Sequence, residues 1–327
     1  MRRIAVLATA LSLAGIARAT PPAGPVRNFG PNLEGACTKP EGIAVDPRGN
    51  LYASSFAFAP VANVCVLDRE GNLDRVIAVS AGPAGVASLL GMLFVPREGL
   101  YACDFADGVA PHGRLLRIDP HGGATAVIAT GFAAPNAIAR DRHRRLYVSD
   151  SFAGTITRVS PDGSGRTTWA ASPLLATQGQ PPFGANGLAF DRDERFLYVA
   201  NTGDDAILRI PVERDGEAGP VEVFARGSEI DSRQATTGAL DGADGIQFDV
   251  RGNLWVCANQ ANEIQVLSPS GTLVARYAGA GPDALDFPAS LIFEGRLLFL
   301  TNLSLGTGVN SKLSVLRAPW PGAPLRP

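Results

Sequence analysis

No segment after residue 19 combines length and freedom from charge well enough to form a membrane helix. Neither sign of charge is in excess: 29 Lys and Arg face 31 Asp and Glu, a formal net charge of −2. No basic patch is left to attract nucleic acid or an anionic membrane, so the partner expected is a small molecule. No Gly-x-Ser-x-Gly elbow or other serine-nucleophile signature occurs. A continuous helical period is missing throughout. Glycine (37) and proline (25) are plentiful and evenly spread, as a chain of many turns requires.

The first residues read as an export signal. Met1-Arg2-Arg3 is a short basic start, Ile4 to Ile16 is apolar, and Ala17-Arg18-Ala19 gives a small-x-small cleavage pattern. The expectation is a signal peptide over residues 1–19, cleavage near Ala19, and a periplasmic or secreted protein of residues 20–327 forming one domain.

One pattern then recurs six times: a short apolar strand, a polar turn, and Leu-Tyr or a variant heading a second strand. It appears as EGIAVDPRGNLYASS from Glu41 and LGMLFVPREGLYACD from Leu90. It returns as NAIARDRHRRLYVSD from Asn136 and NGLAFDRDERFLYVAN from Asn186, then DGIQFDVRGNLWVCAN from Asp244 and SLIFEGRLLFLTN from Ser290. These starts lie 49, 46, 50, 58 and 46 residues apart, a period typical of propeller blades. Two further strand-like runs follow each unit, joined by turns such as Asp119-Pro120-His121-Gly122. The fold predicted is all-β: a six-bladed β-propeller of four antiparallel strands per blade. The sixth unit lacks an outer strand, and Val26-Arg27-Asn28-Phe29 has the length to supply it, closing the ring and removing an exposed edge.

Immediately before the first strand of each unit stand Glu41, Leu90, Asn136, Asn186, Asp244 and Ser290. Equivalent positions of the innermost strands form a ring at one end of the channel. Four strong oxygen donors, with Ser290 as a weaker fifth, match what a hard ion such as Ca²⁺ asks for. Asn-Gly and Asp-Gly are also ordinary turn dipeptides, so the argument rests on their shared register rather than on any one residue. Four donors facing one point without a cation would repel or strand one another. By contrast Asp46, Asp141, Asp191 and Asp249, which recur before the turns inside each unit, read as turn caps.

At PEGIAVDPRGNLY, APNAIARD, GANGLAFDRDERFLYVANT and GADGIQFDVRGNLWVCAN the chain resembles the gluconolactonase and senescence marker protein (regucalcin) family, related to diisopropyl fluorophosphatase and paraoxonase. The resemblance extends from about Pro40 to Asn302. It implies a calcium-dependent hydrolase of lactones or related esters, other divalent ions being able to substitute. It also implies Glu41, Asn136, Asn186 and Asp244 as metal ligands, with Asp244 as base or nucleophile. The family's sugar-lactone hydrolases carry an Arg and an Asn on the second blade to hold substrate hydroxyls; here that stretch reads Tyr101-Ala102-Cys103-Asp104-Phe105. That departure, with Phe56, Phe58, Phe105, Phe152, Leu174, Leu175 and Phe183 on loops of the same face, points to a substrate with an apolar part. The alternative is a non-catalytic NHL-like propeller that binds a small molecule or protein there; such repeats share the GIAVD…GNLY pattern without a consistent oxygen ligand before the glycine.

Of the histidines, His121 and His143 fall in turns away from the ring, while His112 lies on the ring side as a further channel-mouth candidate. Of the cysteines, Cys103 and Cys257 occupy the same position half a turn apart and cannot bridge. Cys37 and Cys65 belong to one blade and form the one plausible disulfide. The longest insertion, Gly227–Ala243, is expected to overhang the mouth.

Overall fold

Each repeat unit becomes one small sheet because its apolar alternation suits strands buried on both faces between neighbouring sheets. In a computed structural model describing residues 24–305 and 311–324, strand β1 (Arg27–Phe29) precedes the repeats. Blade one is β2 (Pro40–Val45), β3 (Leu51–Ser55), β4 (Val61–Leu67) and β5 (Leu73–Ser80). Blade two is β6 (Leu89–Val95), β7 (Gly99–Asp104), β8 (Gly113–Ile118) and β9 (Thr125–Phe132). Blade three is β10 (Pro135–Arg140), β11 (Leu146–Asp150), β12 (Thr155–Val159) and β13 (Thr167–Ala171). Blade four is β14 (Ala185–Phe190), β15 (Phe196–Asn201), β16 (Ala206–Pro211) and β17 (Glu222–Arg226). Blade five is β18 (Ala243–Phe248), β19 (Leu254–Ala258), β20 (Glu263–Leu267) and β21 (Leu273–Tyr277). Blade six is β22 (Pro288–Glu294), β23 (Leu297–Asn302) and β24 (Lys312–Arg317), with β1 as its outer strand.

That last pairing runs antiparallel, Arg27 opposite Val315 and Phe29 opposite Leu313, so both chain ends build blade six as the sequence predicts. The disulfide between Cys37 and Cys65, Cα atoms 6.0 Å apart, then ties the segment after β1 to β4. Cys103 and Cys257 are buried free thiols. The export signal expected at residues 1–19 lies outside the described residues. Among the described residues, no helix is long and apolar enough to cross a membrane.

Six apolar clusters of buried side chains alternate with the sheets around the ring. The innermost strands touch one another in sequence, and β22 returns to β2 to complete the circle. Their approach is close enough to exclude a side chain. A Cβ on Gly42 would lie 2.2 Å from the Leu90 carbonyl oxygen, and one on Gly187 would lie 2.2 Å from that of Asp244. The second residue of the repeat is glycine in blades one, two, four and five for this reason.

The insertion after blade four does not overhang the mouth. It begins as helix α1 (Gly227–Gln234) and packs between blades four and five, with Ile230, Ala239 and Leu240 buried in the cluster around Tyr198 and Leu273. Gln234 bonds the backbone of Leu273 in both directions, at 2.9 and 3.0 Å. Burial of three apolar side chains outweighs any tendency of this segment to stand free over the channel.

Candidate metal and substrate site at the channel mouth

All six inner strands share one irregularity. The ladder to the second strand is regular from the fourth residue onward and breaks between the first and the fourth, as between Pro40 and Ile43 or Ala243 and Ile246. Two residues per blade therefore bulge toward the axis, and bulges of this kind re-aim side chains beside functional sites. The first of the two is Glu41, Leu90, Asn136, Asn186, Asp244 and, in blade six, Ala289.

Ser290 is thus one position past the ring, a correction to the sequence reading. Its N–H is held by the Thr301 hydroxyl at 3.0 Å, as Gly42 is by Ser54 (2.7 Å) and Ala137 by Ser149 (2.9 Å). It lines the channel below, a cavity of about 170 Å³, rather than the mouth. Blade six lacks the glycine that follows the ring position in blades one, two, four and five, so nothing in its sequence distinguished Ala289 from Ser290.

The same hydroxyls pin the ring. Ser54 donates to the Leu90 carbonyl at 2.9 Å, Ser149 to that of Asn186 at 2.8 Å, and Thr301 to that of Glu41. With backbones anchored from behind, the four polar side chains meet in one pocket of about 90 Å³. Glu41, Asn136, Asn186 and Asp244 are all 5% exposed or less. His112 is not there; its ring nitrogen Nδ1 is paired with Asp107 at 2.9 Å on the exposed part of the loop.

A second tier lies directly above the first, at the residue after each second strand: Phe56, Phe105, Ser151, Thr202, Asn259 and Leu303. Asn259 is the site residue that sequence reasoning missed. It is 2% exposed, and its Nδ2 donates to Asp244 Oδ2 at 2.9 Å. Thr202 accepts from Asn186 Nδ2 at 2.9 Å and donates to the Ala243 carbonyl. Asn186 is left with its carbonyl oxygen for the pocket.

Three buried oxygens on residues that line this pocket have no hydrogen-bond partner: Glu41 Oε2, Asp244 Oδ1 and Asn259 Oδ1, the last of them lying against Gly242. Burial, then the Asp244 charge, push the Glu41 carboxyl well above its usual range. Burial raises Asp244 to about 7 against the opposing effect of hydrogen bonds from Asn259 and Asn186. No lysine, arginine or histidine lines the pocket to balance the charge. Among the described residues no group of three or more His, Cys, Asp or Glu is placed to hold a metal ion by itself, so amide oxygens have to complete any cation site here. The donor set fits a hard divalent cation: all oxygen, two of the groups ionisable, and each of those two with an unpaired oxygen.

Over the polar floor stand apolar walls: Phe56, Leu90, Pro181, Phe183, Phe287 and Leu303. Leu174 and Leu175, expected among them, instead pack in the core between blades three and four.

Residues 172–302 match the model of a family described as the SMP-30/gluconolactonase/LRE-like region. This stretch contains Asn186, Asp244 and Asn259, while Glu41 and Asn136 lie before it. Over 90 residues the chain is 28% identical to the 6-deoxy-6-sulfogluconolactonase of Pseudomonas putida, a match spanning 28% of either chain. A gluconolactonase from Xanthomonas campestris superposes with a TM-score of 0.61 at 19% identity, over 94% of this chain and 99% of that one. The calcium-binding protein regucalcin from Agrobacterium tumefaciens superposes with a TM-score of 0.63 at 17% identity, over 92% and 97%. Identities this low establish a common fold. The chain is a six-bladed β-propeller whose residues 172–302 match the SMP-30/gluconolactonase/LRE-like region.

Proposed function

We propose that this protein is a calcium-dependent hydrolase of lactones or related esters, its site formed by Glu41, Asn136, Asn186 and Asp244. The observation that carries the reading is that Glu41 and Asp244, each with a partnerless buried oxygen, share one apolar-walled pocket with Asn136 and Asn186. Leaving such atoms unpaired costs about 1–3 kcal/mol each, a penalty that a bound divalent ion removes. The family match over residues 172–302 supports the hydrolytic class.

Bound there, a divalent cation supplies polarisation of a carbonyl oxygen and stabilises the charge that develops on it. The protein's own part falls to a few groups. Asn259 holds Asp244 Oδ2 and so presents Oδ1, which has no other partner, toward the pocket. That oxygen takes a proton from water or attacks the substrate carbonyl itself. Thr202 orients Asn186, and the apolar walls exclude bulk water from the reacting atoms. Export completes the reading: the basic-apolar-small pattern of Met1–Ala19 and the Cys37–Cys65 disulfide both support a periplasmic or secreted location.

The test is metal analysis of the purified protein and calorimetric titration with calcium, followed by a lactone and aryl-ester panel with and without chelator. Hydrolysis that chelator abolishes and calcium restores is expected. Tight calcium binding without turnover of any member favours a non-catalytic binding propeller, and absence of calcium binding removes the cation site.

A further inference from the structure

The two halves of the mouth differ. In the second tier, blades three, four and five present Ser151, Thr202 and Asn259, whereas blades one, two and six present Phe56, Phe105 and Leu303. Phe105, only 4% exposed, is the hub of an aromatic cluster. Its ring centroid lies 5.8 Å from Phe56, 5.9 Å from Phe58, 5.6 Å from Phe152 and 6.1 Å from Phe183. Phe56 and Phe58 are 5.0 Å apart, and Phe152 and Phe183 are 5.1 Å apart. Four separate connections thus deliver five of the chain's 15 phenylalanines to one place. Phe56 and Phe183 line the pocket itself, while Phe58 and Phe152 stand at its rim, 56% and 42% exposed.

The carboxylates beside this cluster, Asp104 and Asp150, are already committed. Asp104 accepts from the Ser88 and Ala106 amides and pairs with Arg114 at 2.5 Å. Asp150 accepts from the amides of Ala133, Ala134 and Ala153. Leu90 occupies the ring position of blade two. A substrate hydroxyl directed past the ring onto these five phenyl faces would lose its water and find no partner. An alkyl or aryl group there gains contact with aromatic faces from the cation pocket out to the rim.

We propose that this aromatic wall is the subsite for an apolar substituent, and that the substrates are lactones or esters bearing an alkyl, acyl-chain or aryl arm rather than polyhydroxylated sugar lactones. The proposal rests on the hydrolase reading for the reacting group and on the wall for the arm. The test is a γ-lactone series from the unsubstituted ring to a heptyl side chain, with gluconolactone beside it. Two readouts keep the two readings apart: kcat/KM of the full chain with calcium, and calorimetric binding of the same series to the Asp244→Asn protein.

Both should rise with each methylene, about fourfold at full burial, and level off once the chain passes the rim. Phe58→Ser and Phe152→Ser, both exposed positions, should lower values for the heptyl lactone about tenfold and leave the unsubstituted lactone unchanged. Turnover that ignores side-chain length, or favours gluconolactone, overturns the subsite and leaves the hydrolase. Binding that grows with length while no member is hydrolysed keeps the subsite and removes the hydrolase. If the two serine variants instead lose co-sedimentation with phosphatidylcholine vesicles and keep the lactone series intact, the rim is a lipid-docking surface and the subsite is overturned.

Discussion

The two ends of the inner strands each carry buried acids, and the two sets are handled in opposite ways. At the turn end, Asp46 accepts from the Arg48 and Asn50 amides, from Asn50 Nδ2 and from the Tyr52 hydroxyl. Asp249 repeats the arrangement with Arg251, Asn253 and the Trp255 indole, and Asp141 with His143, Arg145 and the Tyr147 hydroxyl. At the mouth end, Glu41 and Asp244 are equally buried, yet each keeps an oxygen with no partner. Burial alone does not distinguish a structural acid from a functional one. The count of satisfied lone pairs separates the two sets, and the proposed function rests on that difference.

Four substitutions test that contrast. The largest effect is expected at Asp244→Asn, which keeps an oxygen and the size of the side chain but removes its charge. It should fold, bind calcium weakly, and lose on the order of 10²-fold or more in kcat, the lower range for a general base. Wild-type turnover by this variant on any substrate found would refute the assigned role. At the other end, Asp249→Ala strands several donors at once and should cost about 3 kcal/mol in denaturant unfolding, with calcium affinity unchanged in calorimetry. A parallel loss of calcium affinity would show that the two ends are not independent.

Glu41→Gln should act with opposite sign on the metal-free and calcium-bound protein. A carboxyl whose pKa is higher folded than unfolded stabilises the fold only while protonated. Its contribution is complete below the unfolded value and disappears as pH rises through the folded one. Glu41 is such a group, raised by burial and by Asp244. In chelator at neutral pH the Gln variant should therefore melt above wild type, the gap closing on acidification. Calcium at 100 times its Kd should stabilise wild type by about 2.7 kcal/mol and the variant by less. Identical melting curves with calcium and chelator would break the comparison. The smallest effect is expected at Ser290→Ala, which should change stability by no more than about 0.5 kcal/mol and leave calcium affinity as it was, because Ser290 is not a ring position.

Six repeats, their strands and the composite last blade were legible because each unit repeats the same alternation, and because turns such as Asp119-Pro120-His121-Gly122 and Ser160-Pro161-Asp162-Gly163 punctuate it. Four ring donors were legible because a close-approach glycine follows most of them. Where that glycine is replaced by serine, in blade six, the register slipped by one residue. Asn259 was missed for a different reason. Its repeat position is occupied by phenylalanine, serine, threonine and leucine in other blades, so no single chemistry marks it, although the constant offset from the second strand does. The insertion read as a lid has its apolar residues at Ile230, Ala239 and Leu240, spaced to bury in a groove rather than to cover a ligand.

The pairing of Arg27–Phe29 with Lys312–Arg317 also sets when the mouth can exist. A chain emerging from its amino end holds β1 in waiting until β24 arrives, since among the described residues no other strand completes that sheet. Glu41 stands in the blade beside this seam and Asp244 in the blade on its other side, so the two acids come together only as the circle shuts. The proposed cation pocket is thus a property of the closed ring and of no smaller part of it. An ion that binds there rewards the final act of assembly, and a five-bladed intermediate offers it nothing comparable.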